Sequence, residues 1–360
     1  MDRQVLGDRV VADVSVLAQA EMDLATFAEE AMRSLQRAVR HDAWSLCTVD
    51  PVSLMPTGVC LRGGAVTGSG EHDRVWARLE YGHDDPTSIL GMVRASRCAV
   101  GVHDLLGDTD RSPRMRHLVS PVLGRTDELR GLASDGQRVW GACSLYRDAG
   151  HFEPWEIHLV EALCPPFAQA VRRAVLGLWA ERPAVSDHDA TAMLVLDGSG
   201  DVVLASPGGL ERFVSLHLGS EELRQGLLVS FTAIAAATQA TEGEHHPSTR
   251  LRLADGRWCT IYATPLRSEQ ADLVGLTISE SRPRELWPLI VDALGMTPRE
   301  RDVLALVVRG VDTRSVAAEL HLSSHTVQDH LKTIFAKAGV HSRRELTALV
   351  LGDQLDPVPR

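Results

Sequence analysis

Four polar side chains near the C-terminus follow one another at spacings of three, one and three: His325, Gln328, Asp329 and Lys332. A period of 3.6 residues would place them together on one face of a helix. Gln has a donor and an acceptor for adenine, Asp can accept from the cytosine amino group, and Lys can reach guanine or a phosphate. The pattern therefore predicts a helix that reads the major groove of double-stranded DNA.

The element that must position these side chains is a helix predicted over residues 323–338. Ser323 is suited to cap its start, and Gly339 is suited to end it. The opposite face is apolar and would pack inward; it consists of Val327, Leu331, Ile334 and Phe335. We therefore expect the polar face to lie in solvent, where it can enter a groove.

Three further helices are predicted around this one. Thr297 and Glu300 have the spacing of a reciprocal capping box, with a proline between them at the first helical position. Asp312 can cap a second short helix, and Ser342 begins a fourth by repeating the capping-box spacing. The sequence thus predicts an all-α, four-helix domain over residues 296–352.

Cationic and hydroxyl side chains flank the predicted reading face. Thr326 lies near the start of the third helix and Lys337 at its end, while Arg343 and Arg344 begin the fourth helix. Such side chains suit phosphate contacts, which position a protein on DNA without reading its sequence. We therefore expect them to anchor the domain.

Several motifs in this region resemble the DNA-binding domain of LuxR/FixJ-type regulators. They are Thr297-Pro-Arg-Glu-Arg-Asp-Val-Leu, Val316-Ala-Ala-Glu-Leu, Ser324-His-Thr-Val-Gln-Asp-His-Leu-Lys and Gly339-Val-His-Ser-Arg-Arg-Glu-Leu. The resemblance implies that the third helix enters the major groove, that Ser324 belongs to the contact set, and that the fourth helix pairs two copies. One departure is Gln328 followed by acidic Asp329, where many members carry a basic residue, so the preferred bases do not carry over.

Charge favours binding as a dimer. The chain has 37 Lys and Arg against 48 Asp and Glu, and residues 296–360 have 9 against 8. A nearly neutral reader on an acidic body should bind DNA modestly as a monomer and lose affinity steeply as salt rises. We therefore expect a homodimer.

Length and composition leave about 290 residues for a role other than DNA contact. The sequence contains no run that approaches the ~20 apolar residues of a membrane helix and no signal-peptide core at its start. The expectation is a cytoplasmic protein without membrane attachment. Its six cysteines form no C-x-x-C pair or metal-ligand spacing, so free thiols are expected, with no metal and no cofactor.

Residues 1–180 alternate between helical and strand patterns. The strand pattern Gln137–Arg147, a charged turn and Phe-x-Pro at 152–154 precede a helical pattern that continues past a break at Pro165-Pro166 toward Trp179. This order resembles the last unit of a GAF sensor domain. The resemblance implies an α/β/α sandwich, a cavity that can take a small-molecule effector, and a long helix suited to dimerisation.

Residues 186–282 form a second, smaller predicted domain. Hairpin patterns start at Met193 and Arg250, a third strand segment covers 273–278, and a helical pattern covers 223–239. The layout resembles a PAS-type α+β fold. A linker with a hinge at 283–288 is expected over 283–295, and residues 353–360 are expected to be a tail.

Two functional classes remain from sequence, with a third possibility beside them. The first is a one-component transcriptional regulator in which an effector or partner bound by the GAF-like or PAS-like region controls the presentation of the recognition helix. The second is an enzyme that uses a cysteine of the GAF-like domain (Cys47, Cys60, Cys98 or Cys143) for redox chemistry. Because no nucleophile, base and orienting acid stand together, we expect that the protein is not an enzyme. Both N-terminal regions could instead be ligand-free dimerisation scaffolds.

Overall fold

The computed structural model describes residues 3–64, 70–81, 85–180, 191–197, 201–209, 248–252, 258–267 and 272–351. It divides into two compact units, Met1–Glu280 and Ser281–Arg360. The first unit combines helices with two antiparallel sheets, and the second is helical. The helical pattern predicted for 223–239 and the tail 353–360 lie outside the described residues.

The first sheet has five antiparallel strands in the order β2-β1-β5-β4-β3. Its strands are β1 (Ala43–Val49), β2 (Pro56–Arg62), β3 (Ala99–Gly101), β4 (Asp127–Ser134) and β5 (Val139–Arg147). The seven residues of β1 are all buried, as expected for a strand between two neighbours. The strand predicted over Gln137–Arg147 is confirmed as β5.

Helices surround this sheet. They are α1 (Arg3–Leu17), α2 (Leu24–Leu35), α3 (Gly70–Tyr81), α4 (Ile89–Arg94), α5 (Val102–Leu106), α6 (Ser120–Leu123) and α7 (Pro154–Ala180). The break predicted at Pro165-Pro166 is wrong, because α7 continues through both prolines. Leu163, Cys164 and Phe167 are almost fully buried beside them, so tertiary packing maintains the helix where propensity alone would end it.

The second sheet also has five antiparallel strands, in the order β7-β6-β10-β9-β8. Its strands are β6 (Ala192–Leu196), β7 (Val202–Ala205), β8 (Ser248–Arg252), β9 (Trp258–Arg267) and β10 (Asp272–Glu280). The predicted hairpin and third-strand patterns are confirmed. Leu194, Ile261 and Leu276 on the inner face are fully buried.

The two sheets share buried structure within the first unit. The inner face of the second sheet forms one apolar cluster with Met55, Val59 and Tyr81 of the first region. Asp50, which follows β1, accepts hydrogen bonds from the Arg250 side chain at 2.5 and 2.6 Å, and both residues are buried. The two regions are thus joined by apolar packing and by a buried ion pair.

The second unit has five helices among its described residues. They are α8 (Pro283–Ala293), α9 (Pro298–Val308), α10 (Thr313–Glu319), α11 (Ser324–Ala338) and α12 (Arg343–Leu351). Residues 283–288, where a hinge is predicted, are helical and begin α8; the linker assignment stays a prediction. Pro283 occupies the first helical position, where a missing N–H is tolerated, and Trp287 and Leu294 pack against the core of this unit.

Candidate DNA-reading surface

The helix starts of the second unit are fixed by side-chain caps. Thr297 Oγ1 accepts from the Glu300 backbone N–H at 3.3 Å, and the Glu300 carboxylate accepts from the Thr297 N–H at 2.7 Å. Asp312 caps α10, and Ser323 Oγ accepts from the Thr326 N–H at 3.0 Å at the start of α11. These caps satisfy N–H groups that a helix start leaves without partners, as the sequence predicted.

The orientation of α11 is set by its apolar face. Val327 and Ile334 are fully buried, Leu331 is 6% exposed, and Phe335 is partly buried against the same core. Gly339 then ends the helix in the left-handed conformation, with φ of 64°. Because the inward face is fixed by packing, the opposite face is presented to solvent on a rigid element.

The sequence-predicted reading residues lie together on this exposed face. Gln328 is exposed, and the side chains of His325, Asp329 and Lys332 are 82%, 52% and 75% exposed. Lys332 Nζ lies 3.2 Å from Asp329 Oδ1, and His325 Nε2 lies 3.5 Å from Asp329 Oδ2. Ser324 is also exposed, next to the helix start. The face therefore offers donors and acceptors in alternation.

Three of the predicted phosphate contacts have partners within the second unit. Thr326 Oγ1 lies 2.8 Å from Ser323 Oγ, and two cations are also hydrogen-bonded. Lys337 Nζ donates to Glu300 at 2.6 Å and to the Gly295 carbonyl at 2.9 Å. Arg343 donates to the Val311 carbonyl and to Thr313 Oγ1, both at 3.1 Å. These bonds tie α11 and α12 to the preceding helices. Arg344, by contrast, is exposed at the start of α12. The assignment of these residues as DNA contacts stays a prediction.

Two features of this surface were missed in the sequence. His321, between α10 and α11, adopts a left-handed φ of 54°, which a non-glycine residue seldom does and which no side-chain pattern signalled. The sequence predicted that Glu300 caps a helix start, but not that its carboxylate is buried and paired with Lys337. Burial raises the pKa of this group, but hydrogen bonds from Lys337 and the Thr297 N–H lower it overall.

A second candidate site is a buried polar cluster in the first unit. Arg114 donates to Glu80 and to Glu128, each at 2.8 Å, and Arg130 donates to Glu80 at 3.0 Å. All four side chains are at most 2% exposed. The two positive and two negative charges are balanced, as buried charges must be to remain ionised.

A small cavity adjoins this cluster, within the residues for which the sequence predicts a GAF-like domain. Trp76, Tyr81, Arg130 and Ser144 are among its lining residues, and its volume is about 10 Å³. That volume is enough for one water molecule. In this conformation, a larger ligand would enter only after the covering elements move.

Three of the four cysteines named as redox candidates are poorly suited to redox chemistry in this conformation. Burial raises the pKa of Cys47 to about 12 and the pKa values of Cys60 and Cys143 to about 11. Because the thiolate is the reactive form, these thiols would be weak nucleophiles at neutral pH. Within the described ranges, no group of three or more His, Cys, Asp or Glu side chains could hold a metal ion.

Residues 295–350 match the family described as bacterial regulatory proteins of the luxR family. The C-terminal domain is a luxR-family domain. This confirms the predicted resemblance, and the family match covers α9 to α12 together with the residues of the reading face. For the rest of the chain, the GAF-like and PAS-like assignments stay predictions.

Relatives that are named as regulators match over short stretches of the chain. A Mycobacterium tuberculosis protein named as an HTH-type transcriptional regulator is 45% identical over 51 residues, which are 14% of this chain and 6% of that protein. The response regulator Rre1 of Synechocystis is 40% identical over 58 residues, or 16% of this chain and 25% of that protein. The chain spans a small part of each relative's length, so these matches do not describe the whole protein.

Among solved structures, the complex of Vibrio cholera VqmA with ligand and DNA is 20% identical to this chain. The similarity covers 46% of this chain and 83% of the other, with a TM-score of 0.22. That score is too low to support a conclusion about the fold. Separately, the helices in the described part of the chain are all too short or too polar to cross a membrane.

Proposed function

We propose that the protein is a sequence-specific transcriptional regulator that binds double-stranded DNA as a homodimer. The observation that supports this proposal is the exposed polar face of α11 in a luxR-family domain. Its apolar side is buried, so the helix can enter a major groove as one rigid element while Gln328 and its neighbours reach base edges. Because bacterial DNA lies in the cytoplasm, we place the protein there.

The contact set that we propose comprises reading and anchoring residues. Gln328, Asp329 and Lys332 would read bases, with His325 beside them. The anchoring residues on the phosphates would be Ser324, Thr326, Lys337, Arg343 and Arg344. For Lys337 and Arg343 this role requires sharing their side chains with the internal partners they already have.

The first unit would have the sensory role. We propose a GAF-like domain at 1–180 and a PAS-like domain at 186–282. Binding of an effector to this region would change the spacing of the two recognition helices in the dimer, so that one protein both senses the signal and binds DNA. The small cavity beside Trp76 is the proposed effector site, and its volume implies that the covering elements must move when a ligand binds. The cysteine-based enzyme is disfavoured because burial suppresses thiolate formation.

The direct test is selection of bound fragments from genomic DNA by the purified full-length protein at two salt concentrations. A two-fold motif is expected, with affinity that falls as salt rises. Gln328→Ala should then weaken binding to the selected site by about 1–3 kcal/mol and leave binding to unrelated DNA nearly unchanged.

The matched control is Gln137→Ala, which removes an exposed glutamine from the β4–β5 turn of the first unit. It should leave both affinities unchanged. Equal binding of Gln328→Ala and wild type to the selected site would contradict the proposed reading face. Failure of the wild-type protein to enrich any sequence at either salt would contradict sequence-specific binding in the effector-free state.

A further inference from the structure

The acidic residue on the reading face is held in an ion pair. Asp329 Oδ1 lies 3.2 Å from Lys332 Nζ, and both side chains remain more than half exposed. The other oxygen of the carboxylate, Oδ2, lies 3.5 Å from His325 Nε2. One hydrogen-bond acceptor and one donor are therefore held side by side, facing outward from α11.

We propose that the Asp329–Lys332 pair reads one C·G base pair, an inference that rests on the proposed function. In the major groove, the amino group of cytosine lies beside O6 of guanine, and the two are joined by a hydrogen bond of about 2.9 Å. Asp329 would accept from the cytosine amino group while Lys332 donates to guanine O6 or N7. The 3.2 Å separation of the side-chain atoms matches this pair of base atoms.

The other base pairs fit this ion pair less well. At T·A, an Asp329 carboxylate on the thymine side would meet O4, which is an acceptor. At A·T, Asp329 could still accept from the adenine amino group and Lys332 could donate to thymine O4, but adenine N7 beside the amino group repels the carboxylate, and thymine offers Lys332 one acceptor where guanine offers two. Desolvation of a carboxylate that finds no hydrogen-bond donor costs binding free energy. Asp329 therefore weakens binding to incorrect base pairs as well as favouring the correct one.

The pair contributes little to the fold. Exposed ion pairs within a helix stabilise it weakly, and α11 is held by Val327, Leu331 and Ile334 on its other side. Asp329 also places negative charge against the DNA phosphates. Its removal should therefore strengthen binding to DNA in general, which is the opposite of the effect expected for a cationic contact.

The test is site selection with the full-length protein carrying Asp329→Asn. Asn pairs with adenine through two hydrogen bonds, so the preferred base at one position of each half-site should change from cytosine to adenine. Preference for the original site over unrelated DNA should fall on the order of tenfold. Affinity for unrelated DNA should rise, and Lys332→Ala should lower it.

The matched control is Asp302→Asn. Asp302 lies 3.6 Å from Arg299 in α9, in an exposed ion pair with the same spacing of three residues. This variant should keep the wild-type base preference. An unchanged consensus for Asp329→Asn, or the same change for Asp302→Asn, would overturn the inference while leaving the proposed function intact. Absence of any wild-type motif would instead overturn the proposed function and the inference with it.

Discussion

The buried ion pair between the two sheets gives a large expected effect for a single substitution. Asp50 accepts from Arg250 Nε at 2.6 Å, from Nη2 at 2.5 Å and from the Arg250 backbone N–H at 3.2 Å. The side chains are 1% and 8% exposed. Asp50→Ala removes this carboxylate from a buried guanidinium, so we expect the free energy of unfolding to fall by about 3–5 kcal/mol.

The assay combines chemical denaturation of the full chain with hydrogen exchange. Because a chain with two compact units need not unfold in one step, exchange of the β8 and β9 amides reports the local effect more directly. In Asp50→Ala, the amides of β8 and β9 should lose more protection from hydrogen exchange than the amides of the other strands. A double variant, Asp50→Leu with Arg250→Met, should recover much of the loss, since apolar residues can replace a buried ion pair.

The control is Asp148→Ala. Asp148 pairs with Arg125 on the surface, and the Asp148 side chain is 57% exposed. Solvent screens such a pair, so its removal should cost less than about 1 kcal/mol. If Asp50→Ala were no more destabilising than Asp148→Ala, the sheets would not depend on this contact.

Two further predictions concern acid stability and helix ends. Burial raises the pKa of Glu128, but Arg114 and Arg130 lower it further, so its net pKa lies below that of the unfolded chain. The stabilising contribution of the ionised Glu128 is present above about pH 4.3 and is lost as pH falls through the folded-state pKa. In Glu128→Gln, the free energy of unfolding should therefore fall less steeply with decreasing pH. An unchanged dependence on pH would contradict this prediction. Gly339→Ala should cost about 1 kcal/mol because φ is 64°, whereas Gly177→Ala, with open space around it within α7, should stabilise by about 0.5–1 kcal/mol in thermal unfolding. Changes of the same sign at both glycines would refute the conformational argument.

The elements that sequence predicted well are those with local signals. The capping pairs at Thr297 and Ser342 lie within one helical turn. The Thr297–Glu300 pair bonds in both directions as predicted, whereas Ser342 Oγ accepts from the Glu345 N–H but the Glu345 carboxylate accepts from the His341 N–H. The inward face of α11 follows from a 3.6-residue period over four turns. Such features need no knowledge of distant residues, so a single sequence is enough.

The features that sequence did not predict depend on long-range packing. Arg114 and Glu80 are 34 residues apart in sequence, and Asp50 and Arg250 are 200 apart. No periodicity links such positions. The α8 helix was predicted as a hinge because Pro283 and Pro288 suggest a break, although burial of residues such as Leu289 maintains the helix.

The hydrogen-bond partners that Lys337 and Arg343 have within the second unit affect how strongly one DNA-binding domain would bind DNA. Lys337 donates a hydrogen bond to Glu300, and Arg343 donates to the Val311 carbonyl and to Thr313. A phosphate would have to compete with each of these partners, so the net gain from one contact is smaller than for a solvated lysine. One DNA-binding domain would thus have weak electrostatic anchoring on DNA. In a dimer, the second domain would add its contacts to the same duplex without a second loss of translational freedom. We therefore expect useful affinity to require the dimer, and a change in the spacing of its two α11 helices to act strongly on DNA binding.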